Sequence, residues 1–234
     1  MEIKISDRLG KLPPYLFVEI DRLKNKARQA GRDIIDLGIG DPDQPPPEFI
    51  TDALCGALKE AGAHNYALDL GQPEFRKAIA SWYKRRFDVE LDPETEILPL
   101  IGSKEGIAHI PLAFVNPGDL VLVPDPCYPP YKSGSIFAGA KIKIMPLLEQ
   151  NSFLPDLSKI KGESSIRLLF INYPNNPTSA VAGLDFFNSV VEFASGRNII
   201  VCHDAAYSEI SFDGYRQESF LKAKGAKEVG GEFH

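Results

Sequence analysis

The stretch RLLFINYPNNPT, residues 167–178, contains the strongest fold signal in this 234-residue chain. Residues 168–171 form a continuous apolar run, which is typical of a strand buried on both faces of a parallel sheet. The prolines at 174 and 177 end that run, because proline fixes φ and cannot donate a hydrogen bond to a sheet ladder. The stretch therefore predicts a buried strand and then a tight turn that presents Asn176.

Similar apolar runs recur on either side of this stretch. They occupy residues 97–102 (ILPLIG), 120–126 (LVLVPDP), 141–147 (KIKIMPL) and 199–207 (IIVCHDAAY). Apolar spacing predicts helices over residues 15–30, 48–61 and 73–87, and a crossover helix over 184–196. This alternation predicts an α/β layered domain with a mostly parallel sheet over residues 31–234. Residues 1–30 are predicted to be an N-terminal arm or part of a small domain.

Charge and composition narrow the class of partner. The formal net charge is -6, from 26 Lys and Arg against 32 Asp and Glu. The basic residues form no stripe, which disfavours nucleic acids and anionic membranes as partners. Three widely separated cysteines favour a reducing compartment over a disulfide framework. No signal segment or membrane-length apolar run occurs, so we expect a cytoplasmic protein, and no metal site is predicted.

A Gly-Ser-Lys turn follows the first apolar run, in IGSKEGIAHI at residues 101–110. Backbone N–H groups at a helix start, the Ser103 hydroxyl and the Lys104 ammonium could together bind an anion such as phosphate. An ordinary helix start explains the same residues, and the spacing is not that of a P-loop.

Polar side chains also follow the last two predicted strands. Asn176 comes after one strand, Asp204 ends the next, and Tyr207 lies three residues further on. Because one right-handed crossover separates these strands, their carboxyl ends can lie side by side, where α/β sheets bind ligands. Alternatively, Asn176 is a simple turn former and Asp204 caps the following turn.

Taken together, these groups match the needs of pyridoxal phosphate. Its phosphate requires an anion site, and its ring nitrogen requires a carboxylate such as Asp204. Its phenolate oxygen requires donors, which Asn176 and Tyr207 can supply. Tyr128, in DPCYPPY at residues 125–131, offers an aromatic face for the ring, although a core tyrosine would look the same.

The motifs GSKEG, PDPCYPPY, YPNNPT and DAAY occur in an order and spacing that resemble the class I/II pyridoxal-phosphate-dependent aminotransferases of fold type I. The longer stretches RLGKLPPYLFVEIDRLK, DLGIGDPD and ETEILPLIGSKEGIAHIPLAFVNPGD resemble one group within that family, the LL-diaminopimelate aminotransferases. The resemblance implies the large, three-layer α/β/α domain of these enzymes. It also implies the conversion of tetrahydrodipicolinate to LL-diaminopimelate, with glutamate as amino donor, in lysine biosynthesis.

The resemblance further implies roles for individual residues. Tyr66 would reach the phosphate of the neighbouring subunit, which implies a homodimer. Ser179 stands where the family usually has glycine. The cofactor-binding residues would be Ser103, Lys104, Tyr128, Asn176, Asp204, Tyr207 and Tyr66, and the substrate-binding residues Tyr15, Gly40, Lys104 and Asn176.

The resemblance finally implies that this chain is the N-terminal portion of such an enzyme. The Schiff-base lysine, the arginine for the substrate carboxylate and most of the small domain would lie beyond His234. Lys222, Lys224 and Lys227 fit a surface loop or helix better than a catalytic site. We therefore expect no catalytic residue within residues 1–234, and no transamination by this portion alone.

Two other functions are compatible with the same residues. One is a different class I/II activity, such as a general aspartate or alanine aminotransferase or a C–S lyase. The other is a non-catalytic domain that binds pyridoxal phosphate or a protein partner.

Overall fold

The computed structural model describes residues 3–14, 16–38, 40, 42–66, 70–160 and 165–234. The chain divides into two compact units, residues 13–69 and residues 1–12 together with 70–234. The domain boundary predicted after residue 30 stays a prediction. None of the helices in the described ranges is long and apolar enough to cross a membrane.

The smaller unit contains two of the predicted helices. Helix α2, Leu16–Gln29, agrees with the prediction over 15–30, and helix α3, Glu48–Ala57, ends four residues before the predicted end. The Lys24 ammonium pairs with Asp21 at 2.7 Å and with Asp36 at 2.9 Å. The pair with Asp36 connects α2 to the segment that follows it.

The larger unit is built on a five-stranded sheet in the order β2-β1-β3-β4-β5, with all four pairings parallel. The strands are β1 Leu120–Asp125, β2 Lys141–Pro146, β3 Ile166–Asn172, β4 Ile200–Asp204 and β5 Gly230–Phe233. The helices are α1 Asp7–Gly10, α4 Pro73–Phe87, α5 Ser103–Phe114, α6 Pro129–Phe137, α7 Leu184–Ala194 and α8 Ala226–Val229. Short 3-10 turns occupy Glu149–Asn151, Leu157–Lys159 and Phe220–Lys222.

Helices cover both faces of this sheet, which confirms the predicted three-layer α/β/α architecture. Successive strand residues point to opposite faces. One face packs against α5 and α6, and the other packs against α7 and α8. Buried strand residues on the first face include Val121, Val123, Leu168, Phe170 and Cys202, and those on the second include Leu122, Leu169, Ile171 and Val201.

The strand predicted over residues 97–102 is wrong. These residues have no regular secondary structure, and Ile101 is 92% exposed. Pro99 lies at the centre of the run and lacks the N–H that a ladder needs. No described strand pairs with this segment, so its apolar character alone does not make it a strand.

Strand β5, in contrast, was not predicted, because its two glycines are disfavoured in strands. The structure explains Gly230 by a close approach of two backbones. A Cβ at this position would lie 2.3 Å from the Val201 carbonyl oxygen on β4. Close packing also explains Gly106 on α5, where a Cβ would lie 2.6 Å from the Phe233 ring on β5.

Candidate active site

A cavity of about 220 Å³ opens at the carboxyl end of the sheet. It contains all six residues of the larger unit that were predicted to bind a cofactor. Asn172 and Ala206 also line it and were not predicted. The full lining is Ser103, Lys104, Tyr128, Asn172, Asn176, Asp204, Ala206 and Tyr207.

The start of α5 forms the positively polarised end of this cavity. Gly102 caps the helix with φ +79°, a conformation that glycine adopts at little cost. N–H groups in a first helical turn have no partner within the helix, and the helix dipole favours an anion there. Lys104 adds a full positive charge, so this helix start is also suited to bind an anion.

Asp204 forms the negative end of the cavity. It is the last residue of β4 and only 4% exposed. Its Oδ2 accepts a 2.7 Å hydrogen bond from the Tyr131 hydroxyl, and its Oδ1 accepts a long one, 3.4 Å, from the Ala206 N–H. Burial raises the pKa of Asp204, and the hydrogen bond from Tyr131 opposes that rise. A buried carboxylate with so few hydrogen-bond donors favours a cationic partner in the cavity.

Tyr131 is a site residue that the sequence reasoning missed. Its ring is fully buried and stacks on Phe170, with centroids 4.9 Å apart and an interplanar angle of 13°. Burial and the neighbouring Asp204 carboxylate raise the pKa of Tyr131 far above its ordinary range. Tyr131 therefore keeps its proton and donates a hydrogen bond to Asp204. One sequence feature could have identified Tyr131. It lies three residues after Tyr128, the N-cap of α6, and residues with this spacing lie on the same side of a helix.

Asn172 joins the carboxyl ends of β3 and β4. Its Nδ2 donates to the Asp204 carbonyl at 2.8 Å, and its Oδ1 accepts from the Asn176 backbone N–H at 2.7 Å. Asn176 in turn donates from Nδ2 to the Tyr207 hydroxyl at 3.2 Å. Strand β3 ends at Asn172, and Asn176 lies in the turn that follows it.

The conformation of Ser179 explains why glycine suits this turn. Ser179 has φ +60°, in the left-handed region where a Cβ is unfavourable. Its backbone N–H donates to the Asn175 carbonyl at 2.8 Å, which helps to hold the turn.

Three predicted site residues do not belong to the described cavity. Tyr15 lies outside the described residues. Gly40 and Tyr66 belong to the smaller unit, where Tyr66 is 90% exposed. Their predicted contacts with substrate and cofactor stay predictions.

Comparison with known proteins identifies the family. The model of the family described as aminotransferase class I and II matches residues 32–229. The chain belongs to this family. Class I and II aminotransferases depend on pyridoxal phosphate, the cofactor that the strand-end residues predicted.

Similar aminotransferases are longer than this chain. An LL-diaminopimelate aminotransferase from Dehalococcoides mccartyi is 54% identical over 99% of the chain and 60% of the relative. One from Desulforudis audaxviator is 56% identical over 98% of the chain and 59% of the relative. The chain therefore spans about 60% of the length of these curated relatives.

Solved structures show the same fold. The apo structure of BacF from Bacillus subtilis is 41% identical, with a TM-score of 0.91 over 99% of this chain and 59% of that one. A probable N-succinyldiaminopimelate aminotransferase from Thermus thermophilus is 38% identical, with a TM-score of 0.85 over 93% of this chain and 59% of that one. The chain thus has the α/β fold of the fold-type I aminotransferases, over about 59% of the length of these structures.

Proposed function

We propose that this aminotransferase, in its full-length form, transfers an amino group between LL-diaminopimelate and 2-oxoglutarate in lysine biosynthesis. The identity to curated LL-diaminopimelate aminotransferases, 54% and 56% along nearly the whole chain, favours this substrate. The structural observation that carries the proposal is the buried Asp204 carboxylate, which faces a cavity whose other end is the anion-binding start of α5.

The residues of the cavity fit pyridoxal phosphate at both ends. The start of α5, with Ser103 and Lys104, would hold the phosphate. Asp204 would hold a proton on the ring nitrogen, and its shortage of other donors leaves it free to do so. No other described lysine lines the cavity besides Lys104, and its position in the first turn of α5 supports a contact with the phosphate.

The remaining side chains would orient the reacting groups. When bound, the cofactor supplies an electron sink for the substrate carbon. Asn176 and Tyr207 would donate to its phenolate oxygen, and the Tyr128 ring would cover one of its faces. Tyr131 would orient Asp204 by a hydrogen bond from its hydroxyl. Residues proposed to contact substrate are Tyr15, Gly40, Lys104 and Asn176.

Two further proposals concern the assembly and its location. We propose a homodimer in which Tyr66 reaches the phosphate site of the neighbouring subunit, which agrees with its exposure. We also propose a cytoplasmic location, because three free cysteines, one of them exposed, suit a reducing compartment.

Substrate competition tests the proposed reaction. Full-length protein should transaminate LL-diaminopimelate with 2-oxoglutarate far faster than aspartate or alanine. A site that hydrogen-bonds a distal ammonium and carboxylate rejects substrates that lack them, because its own polar groups would be left unpaired. Equal rates with aspartate would instead support a general aminotransferase.

Residues 1–234 alone are proposed not to transaminate. Lys222, Lys224 and Lys227 do not line the cavity, and Lys222 and Lys227 pair with Glu218 at 2.9 Å and Glu96 at 2.7 Å. Borohydride reduction with pyridoxal phosphate, followed by peptide mass mapping, tests this proposal. A stoichiometric phosphopyridoxyl-lysine within residues 1–234, together with turnover, would contradict it.

A further inference from the structure

A second carboxylate lies buried on the strand next to Asp204. Glu232 is on β5, and its side chain is fully buried. Its two oxygens accept hydrogen bonds from groups on several elements of the larger unit. The donors are the Tyr83 hydroxyl at 3.2 Å, the Ser219 hydroxyl at 3.0 Å, the Phe220 N–H at 2.7 Å, the His234 Nε2 at 2.9 Å and the His203 Nδ1 at 2.9 Å.

Glu232 is ionised within this cluster. Burial by itself raises the pKa of Glu232, but hydrogen bonds from His203 and His234 outweigh burial and hold it well below the usual range. The Phe220 N–H can only donate, so it also needs an acceptor at the Glu232 carboxylate. The cluster is therefore arranged around a negative charge.

The surroundings of His203 determine its protonation. Its Nδ1 lies 2.9 Å from the Glu232 carboxylate, and its Nε2 lies 3.1 Å from the Tyr173 carbonyl oxygen. Both partners are acceptors only, whereas a neutral imidazole has one nitrogen that cannot donate. Two hydrogen bonds of this kind require a proton on each ring nitrogen. The ring is fully buried, so water is not an alternative partner.

We propose that His203 is a buried imidazolium, held between Glu232 and the Tyr173 carbonyl, and that it positions Asp204 and the Asn176 turn for the cofactor. The positioning role rests on the proposed function, whereas the charge state does not. His203 is a positioning residue because it acts through its neighbours and does not line the cavity.

The geometry shows how His203 would act on the site. His203 pairs with Glu232 in the β4–β5 ladder, and Asp204 is the next residue on β4. Tyr173 follows β3 directly and leads into the turn that carries Asn176. One charged ring therefore connects β4, β5 and the turn after β3. His203 and His234 also lower the pKa of Asp204 against the effect of burial.

Histidine-selective ¹⁵N NMR of the full-length protein tests the charge state. His203 is assigned by comparison with His203→Gln, in whose spectrum its signals are missing. We expect both ring nitrogens of His203 to carry a proton at neutral pH. A single neutral tautomer in the wild-type protein would overturn the proposal.

Two variants of the cluster separate charge from hydrogen bonding. Glu232→Gln keeps the shape of the side chain but removes its charge, so His203 should lose one ring proton. Ser219→Ala removes a hydrogen bond to the same carboxylate without a change in charge, so His203 should keep both protons. Loss of a proton in both variants would overturn the assigned cause.

Binding of pyridoxamine phosphate tests the positioning role. We expect Glu232→Gln to weaken binding by roughly tenfold, because a neutral His203 would no longer lower the pKa of Asp204, and one pKa unit corresponds to a factor of ten. Ser219→Ala should change binding less than about twofold. Unchanged binding in Glu232→Gln would overturn the positioning role. Unchanged binding in Asp204→Asn would instead overturn the proposed cofactor orientation, and the positioning role with it.

Discussion

Asp204 and Glu232 are buried carboxyl groups on neighbouring parallel strands, but they occupy opposite kinds of environment. Asp204 faces an open cavity and accepts one short hydrogen bond and one long one. Glu232 faces no described cavity and accepts hydrogen bonds from five groups. The pKa of Asp204 is raised mainly by burial, whereas that of Glu232 is lowered by its hydrogen bonds despite burial.

The difference teaches how to separate a binding carboxylate from a structural one in the same sheet. A buried carboxylate is costly unless its lone pairs are satisfied. The protein satisfies Glu232 from within, so its charge stabilises the fold. Asp204, in contrast, accepts only one short hydrogen bond from within the protein. Its buried carboxylate therefore lowers the stability of the free protein and favours the binding of a cation.

The largest expected effect is on stability at Glu232. Glu232→Ala should destabilise the fold by about 3–5 kcal/mol, because it removes the buried partner of His203 and leaves several other buried donors without an acceptor. Urea unfolding would measure the change. A loss below about 1 kcal/mol would show that Glu232 is not the centre of the cluster.

The next effect is on cofactor affinity at Asp204. Asp204→Asn should weaken pyridoxamine phosphate binding by about 2–3 kcal/mol, since a hydrogen bond to a charged group is lost. Asp125→Asn is a matched control at another strand end, because Asp125 pairs with Lys132 at 2.8 Å and does not line the cavity. Equal losses of affinity in Asp204→Asn and Asp125→Asn would show that Asp204 has no specific role in binding.

The pH dependence of stability should have opposite signs at the two carboxylates. The folded pKa of Asp204 is raised, so its unfavourable contribution is present at neutral pH and is relieved as pH falls. The folded pKa of Glu232 is lowered, so its favourable contribution is present above its unfolded pKa and is lost as pH falls.

Two isosteric variants measure these slopes. Asp204→Asn should be more stable than the wild type at neutral pH, and the gain should disappear in acid. Glu232→Gln should be less stable at neutral pH, and the deficit should shrink in acid. Parallel curves for the two variants would contradict the comparison.

The smallest expected effect is at Ser179, in the turn beside the cavity. Ser179→Gly should stabilise the fold by about 0.5–1 kcal/mol, because glycine accepts φ +60° with less strain. Ser179→Ala is the control, since it keeps the Cβ and should bring no gain. Thermal unfolding of both variants would show whether the Cβ is the cause.

The sequence predicted the elements that repeat a strong local pattern. Strands β1 to β4 were recognisable as apolar runs, because a strand of a parallel sheet is usually buried on both faces. Helix α4, Pro73–Phe87, was recognisable by its helical spacing of apolar residues. The six cavity residues of the larger unit were recognisable because each lies at a strand end or helix start.

The remainder depends on contacts between distant residues. Residues 97–102 share the apolar composition of a strand, but pairing decides whether a strand forms. Gly230 belongs to a strand because a neighbouring backbone approaches it closely. Tyr131 belongs to the PDPCYPPY motif, but its partner Asp204 is 73 residues away along the chain. Glu232 lies in no recognised motif, and its partner Tyr83 is 149 residues away.

The contact between Gly106 and Phe233 bears on how sequences of this kind can diverge. A Cβ at position 106 would meet the Phe233 ring at 2.6 Å and the Leu100 side chain at 2.7 Å. A larger residue at 106 therefore requires that both the Phe233 ring and the Leu100 side chain become smaller or move away. Positions 106 and 233 should consequently covary among relatives, with compensating volumes, so that the packing of the first turns of α5 is inherited as a pair.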